Sequence, residues 1–317
     1  MSKGGMRKQF VLTVESLLEK NPELSLLLGD IGVFGFKEAF KKYSDRVLNI
    51  GILEQSTIGV AAGMAKNGLI PIVHTIAPFL VERAFEQIKT DFCYQNLGGN
   101  FVTVGASYDY AALGCTHHCP GDIELLQTLP RMQIVVPGTS EELDQLFRET
   151  YSNGSPTYFR LSERENPISH PVKFGKAQVL KRGSEATFVV VGPALKNLWP
   201  LIQSFDATVL YYTTVAPFDR ETLKKNAVSS KFILFEPSYE GGLSREISQA
   251  MEMRAHSIST IGVPRKFLTN YGTAEEQDQA LQLSTDALKN RIEKILDSKV
   301  LDSRHEADLN KSPEVVQ

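Results

Sequence analysis

The sequence predicts an α/β protein made of two doubly wound domains in series. Three observations carry this reading. From Val11 to about Leu161, short apolar runs of strand character alternate with helical patterns, the signature of a parallel sheet covered by helices. A second series of the same kind begins near Thr187. Between the two, ERENPISHPVKFGK (163–176) has two prolines, mixed charge and no periodicity, and reads as a linker.

The strands of the first series are LSLLLGD, RVLNI, IPIVHT, FVTVG, MQIVVPG and PTYFRL, each an apolar run. Helices are expected over 7–20, 53–67, 79–95, 122–128 and 140–152. The helix over 53–67 follows from the spacing of Glu54, Ile58, Ala61 and Ala65, and that over 79–95 from an inner face of Ala84, Gln87 and Ile88. In the second series, TFVVVG, ATVLYY, KFILFEP and SISTIGV are the strands. Helices near 194–204, 219–226 and 242–254 separate them, and further helices follow over 274–295. The expected boundaries are a first domain over 1–165, a linker over 166–178 and a smaller second domain over 179–298. The remainder, 299–317, is polar and poor in apolar residues, as disordered tails are.

Composition narrows the function classes. Of 317 residues, 42% are hydrophobic and 22% charged, an ordinary globular balance. A net charge of -3 gives no electrostatic case for nucleic acid or an anionic membrane. No apolar run approaches the ~18 residues of a membrane span. MSKGGMRKQF has positive charge but no apolar core or cleavage site after it, so no signal peptide is expected. Three cysteines make no disulfide framework. The expectation is a soluble, cytoplasmic protein.

Three segments hold candidate site residues. In NIGILEQSTIGVAAGMAKNG (49–68), Glu54 heads an apolar helical face. It either meets the dipole at the helix start or, as a carboxyl group in apolar surroundings, shares a proton with a heterocycle. In YAALGCTHHCPGDIELLQTLP (110–130), Cys115, His117, His118 and Cys119 suggest zinc, but four ligands within five residues cannot easily close a tetrahedron. No metal site is therefore expected. The flanking glycines and lack of periodicity make this a loop after FVTVG, where α/β proteins bind ligands, so both histidines are candidates for substrate contact or for a solvated loop. In HTIAPFLVERAFEQI (74–88), Phe79 opens a helix and alone reads as core. GDIGVFGF (29–36) is not a GxGxxG fingerprint, and GxxxxGK[ST] is absent.

Taken in order, NIGILEQSTIGVAAGMA, HTIAPFLVERAFEQI, GCTHHCPGDIELLQTLPRMQIVVPGTSEE and SPTYFRLS resemble the pyrimidine-binding domain of transketolase and its thiamine-diphosphate relatives. YYTTVAPFDRETL, KFILFEPSYEGGLSREI and GVPRKFL resemble the C-terminal domain of the same family. The resemblance runs from about Phe10 to Ala287 and is nearest to separately encoded C-terminal sections, which share the LGxTHH loop.

The resemblance implies thiamine diphosphate as cofactor. The Glu matching Glu54 hydrogen-bonds N1′ of the aminopyrimidine, favouring the tautomer whose N4′ removes the C2 proton of the thiazolium. By the same correspondence Phe79 stacks on the pyrimidine ring and His117 faces substrate, while Ile76 stands where relatives carry an aromatic. The family's diphosphate- and Mg²⁺-binding GDG…N motif is missing, since both candidates, at 29–31 and 121–123, read GDI. The diphosphate and Mg²⁺ are then expected on a partner subunit, the N-terminal section. Homodimerisation within a heterotetramer of two copies of each chain would follow. Leu113 replaces the usual Asp before the loop glycine, and an upstream histidine falls at Gly105. The phosphate-gripping arginine falls near Glu163, leaving Arg160 and Arg164 as substitutes.

The expectation is thus a subunit of a two-subunit transketolase-like transferase that moves a two-carbon ketol unit between small carbonyl or sugar substrates. Its alternatives are a 2-oxo acid dehydrogenase β-like or deoxyxylulose-phosphate-synthase-like subunit, or a non-catalytic assembly subunit.

Overall fold

A computed structural model describes residues 5–298, so the tail expected over 299–317 lies outside the described residues. Helix α1 (Gly5–Lys20) buries Met6, Phe10, Val14, Leu17 and Leu18, one stripe at helical spacing. Strands β1 (Leu24–Leu28), β2 (Val47–Asn49), β3 (Ile70–Ile76), β4 (Gly99–Val104), β5 (Gln133–Val135) and β6 (Pro156–Arg160) form a parallel sheet in the order β5-β6-β4-β3-β1-β2. β1, β4 and β6 are buried at every position, which explains why they read as largely apolar runs. The connecting helices are α2 (Lys37–Lys42), α3 (Glu54–Lys66), α4 (Ala77–Val81), α5 (Phe85–Gln87), α6 (Asp122–Gln127) and α7 (Ser140–Thr150). Helices α1 and α7 cover one face together, with the Phe10 and Phe147 rings 5.9 Å apart.

The second sheet runs β12-β11-β8-β9-β7. Its strands are β7 (Gln178–Lys181), β8 (Ala186–Val191), β9 (Ala207–Tyr212), β11 (Lys231–Tyr239) and β12 (Ser257–Val263), parallel apart from β7. Helices α8 (Leu195–Leu198), α9 (Arg220–Asn226), α10 (Ser244–Ala250), α11 (Ala274–Ala280) and α12 (Thr285–Asp297) accompany it. The fold is the expected mixed α/β arrangement of two largely parallel sheets in series.

Three features depart from the expected elements. The helix expected over 79–95 is broken into α4, α5 and a π-helical stretch, Ile88–Tyr94, whose wide turns bring both Phe92 and Cys93 inside. The helix near 194–204 tightens after α8 into a 3₁₀ stretch, Trp199–Ser204, at Pro200. Strand β10 (Thr214–Ala216) leaves the second sheet and pairs antiparallel with β5, so the first sheet has seven strands. The linker is also pinned. Buried Glu142 of α7 accepts from Gly138 N at 2.8 Å, His170 N at 3.1 Å and Tyr211 Oη at 2.7 Å, joining α7, the linker and β9. No helix among the described residues is long and apolar enough to cross a membrane.

Candidate active site

The carboxyl ends of β1, β2, β3 and β4 open on one side of the first sheet, where ligands bind in folds of this type. Their ends are closely packed. A Cβ on Gly29 would lie 3.4 Å from both Gly51 O and Thr75 Oγ1. Asp30, at φ 61, donates its N–H to Asn49 Oδ1 at 3.0 Å and accepts from Asn49 Nδ2 at 2.8 Å. This reciprocal pair locks the end of β1 to the end of β2.

Glu54 is the first residue of α3, following β2. It is 2% exposed, with Ile58 and Ala61 buried on the face behind it. Oε2 accepts from Arg83 Nη1 at 2.7 Å, whereas Oε1 is buried without a hydrogen-bond partner. An interaction with the helix start alone would not require a buried carboxylate with one oxygen left unpaired. The Arg83 guanidinium rests 4.4 Å over the centre of the Phe79 ring, a cation–π contact. Phe79 in turn meets the His117 ring edge-on, centroids 5.3 Å apart at 67°. Tyr110 flanks His117 at 6.3 Å.

The structure therefore brings Glu54, Phe79 and His117 into one chain of contacts through Arg83. Ile76, buried at the end of β3 just before Phe79, adds an aliphatic wall. Gly105 faces it at φ 75. A Cβ there would lie 2.5 Å from Tyr110 Cε2 and 3.2 Å from Ile76 Cγ2, so no side chain fits at that position.

The loop carrying His117 is closed at its base by Cys119 N donating to Ser107 O at 2.8 Å. Inside it the Gly114 carbonyl accepts from His117 N at 2.9 Å and His118 N at 3.2 Å. His117 is half-buried, its Nδ1 2.9 Å from Thr116 Oγ1. His118 is buried with neither ring nitrogen hydrogen-bonded, and burial draws its pKa down. Leu113 is 51% exposed. Cys115 is exposed while Cys119 is buried with its thiol directed at Glu82 Oε1, 3.6 Å away. Among the described residues no group of three or more His, Cys, Asp or Glu is placed to hold a metal ion.

Arg160 and Arg164, expected as substrate contacts, are engaged elsewhere. Arg160 is 1% exposed, and donates to Asp122 Oδ2 at 2.7 Å and to Pro237 O at 3.2 Å. Arg164 donates to Asp278 Oδ1 at 2.7 Å and to Tyr108 Oη at 3.1 Å, and its Nη2 pairs with Asp278 Oδ2. Buried guanidinium groups require such partners, and these contacts tie the first sheet's elements to the second's. Neither arginine contacts the Glu54–Arg83–Phe79–His117 chain through these bonds. Arg83 itself is invisible as a site residue from composition or motif. Its one signal is that it stands four residues after Phe79 in the expected helix.

One buried carboxylate oxygen without a partner, in a group held by Arg83 over an aromatic ring, suits a flat heterocycle with a polar ring nitrogen. A half-buried histidine at the open end suits a carbonyl oxygen.

Residues 3–168 match the transketolase pyrimidine-binding domain family. An uncharacterized 33.6 kDa protein in the fasciation locus of Rhodococcoides fascians is 35% identical over 90% of this chain and 93% of its own length. One of the subunits of apulose-4-phosphate transketolase from Actinobacillus succinogenes is 28% identical over 75% of this chain and 79% of its own. Among solved structures, a split gene transketolase described as an inactive beta4 tetramer superposes with a TM-score of 0.78 at 26% identity. That match covers 92% of this chain and 98% of the other.

Proposed function

The chain belongs to the transketolase pyrimidine-binding domain family, and from that premise we propose that it is one subunit of a thiamine-diphosphate-dependent transketolase-like enzyme. It would transfer a two-carbon ketol unit between small carbonyl or sugar substrates. The observation that carries this reading is the buried, unpartnered Oε1 of Glu54, whose other oxygen is held by Arg83 over the Phe79 ring.

Those residues fit the aminopyrimidine of the cofactor. Thiamine diphosphate, when bound, supplies an electron sink for breaking a C–C bond beside a carbonyl. Glu54 Oε1 would face the ring nitrogen N1′ and take part in the proton shared with it. Arg83 anchors Oε2, so the free oxygen keeps one direction. Phe79 and Ile76 would line the slot for the ring. His117 donates to a substrate oxygen, His118 backs it, and Leu113 presents an apolar wall at the mouth.

The diphosphate and Mg²⁺ need a second chain in this reading, because GDI stands at both places where a GDG could begin their motif. One relative is itself named as a single subunit of its transketolase, and another forms an inactive beta4 tetramer. Both support a site completed by an N-terminal-section subunit. Two copies of each chain would then form the active heterotetramer.

Reconstitution tests this. The isolated chain should bind thiamine diphosphate weakly in calorimetry and turn nothing over. Adding the partner should give thiamine-dependent turnover, with xylulose 5-phosphate used in preference to pyruvate as donor. Micromolar cofactor affinity without any partner would defeat the split site. Preference for pyruvate would move the chain to the 2-oxo acid enzymes.

A further inference from the structure

The segment 264–273, which follows β12, reaches across to the loop that carries His117 and meets it twice. Leu268 is buried in a cluster with Tyr108, at the start of that loop, and with Val263 and Leu281. Further along, Tyr271 lies against Gly114. A Cβ on Gly114 would be 2.6 Å from Tyr271 Cε1 and 3.0 Å from Cζ, and Gly114 has φ 72. Only a residue without Cβ allows so close an approach in that conformation. Gly114 is also the residue whose carbonyl receives the N–H groups of both His117 and His118. The Tyr271 ring thus backs the peptide unit from which the two histidines hang.

Tyr271 remains 70% exposed, so its own burial contributes little to the core. We propose that Tyr271 is a positioning residue, contributed by the second sheet's side of the chain. By packing on Gly114 it fixes the turn that sets His117 beside Phe79, and so governs substrate use without touching the cofactor slot. The consequence for substrate rests on the reading of His117 as the substrate-facing histidine. The positioning itself does not.

The test separates the two. Amide hydrogen exchange over 113–118 in the full chain should be about tenfold faster in Tyr271→Ala, because the His117 and His118 amides lose a fixed acceptor. Tyr271→Phe keeps the ring and should exchange within about twofold of the unmodified chain. Exchange at the unmodified rate in Tyr271→Ala overturns the positioning role. In the reconstituted complex with thiamine diphosphate, Mg²⁺ and xylulose 5-phosphate, kcat/KM should fall about tenfold in Tyr271→Ala and recover in Tyr271→Phe. Cofactor affinity should stay unchanged in both. A parallel loss of cofactor affinity would mark general damage and overturn the proposal. If the unmodified complex has no thiamine-dependent turnover, the functional reading fails, while the exchange result still decides whether Tyr271 holds the loop.

Discussion

Arg83 Nη1 lies 2.7 Å from Glu54 Oε2, across 29 residues of sequence, and holds one oxygen of a carboxyl group whose other oxygen is buried and free. The pair divides the labour of a single side chain: one oxygen is anchored and the other is available.

Glu54→Gln should therefore keep the Arg83 side intact in shape but remove the proton-sharing oxygen. In the reconstituted complex, C2 proton exchange of bound cofactor, followed by NMR in deuterium oxide, should slow about 100-fold or more. Arg83→Ala should act differently, leaving Glu54 buried without its cation and destabilising the chain by about 1–3 kcal/mol. Exchange at the unmodified rate in Glu54→Gln would reduce Glu54 to a residue that serves the start of α3.

Stability should peak at mildly acidic pH. Burial raises Glu236 to about 8, against the N–H groups of Leu243 and Gly241 that favour its charged form. Burial likewise raises Glu124 to about 7 and Asp109 to about 6. These groups bind protons in the folded state that the unfolded chain releases, so their contribution is fully present below ordinary carboxyl values. It is lost as pH rises through 6, 7 and 8. Burial lowers His74 to about 4, which costs stability as pH falls from 6.5 towards 4. Three raised carboxyl groups outweigh the one lowered histidine, so the thermal midpoint should be highest near pH ~4.5 and decline above it. Glu124→Gln should flatten the decline between 4.5 and 7 by an amount on the order of 2–3 kcal/mol. An unchanged profile in that variant would assign the slope to other groups.

Donor choice should respond to position 113. Leu113, 51% exposed at the mouth of the loop, offers no hydrogen bond to a substrate hydroxyl. A site lacking such a partner discriminates weakly between hydroxylated and less hydroxylated donors. Leu113→Asp should raise the ratio of kcat/KM for xylulose 5-phosphate over a less hydroxylated donor by about tenfold or more, and the ratio cancels general damage. An unmodified complex already as selective as ordinary transketolases would show that another residue supplies the contact.

Much of the fold is legible in the sequence because buried parallel strands announce themselves. LSLLLGD and FVTVG are mostly apolar, since both faces of β1 and β4 are covered. Strand β10 is not legible: three residues that pair antiparallel at an edge carry no period of their own. The break within 79–95 escapes because Ile88 and Phe92 suit an ordinary helix, and only the inward turn of Cys93 as well calls for a wider one. In the proposed site, Glu54, Phe79 and His117 are named by the ordered resemblance, whereas Arg83 is not. Ion pairs are set by tertiary proximity, which spacing does not encode. For the same reason the sequence leaves Arg160 and Arg164 looking available, and only the fold puts Asp122 and Asp278 beside them.

The excursion of β10 into the first sheet has a mechanical consequence. Thr214 and Ala216 close the edge that β5 would otherwise leave bare, and they do so from beyond the linker. With Asn166 N also bonded to Gly138 O at 2.8 Å and His170 N to Glu142, that linker is a strap and not a hinge. Severing the chain there would strand an unpaired sheet edge on one fragment and an orphaned strand on the other. The two halves are thus stitched together along the sheet edge as well as along the chain.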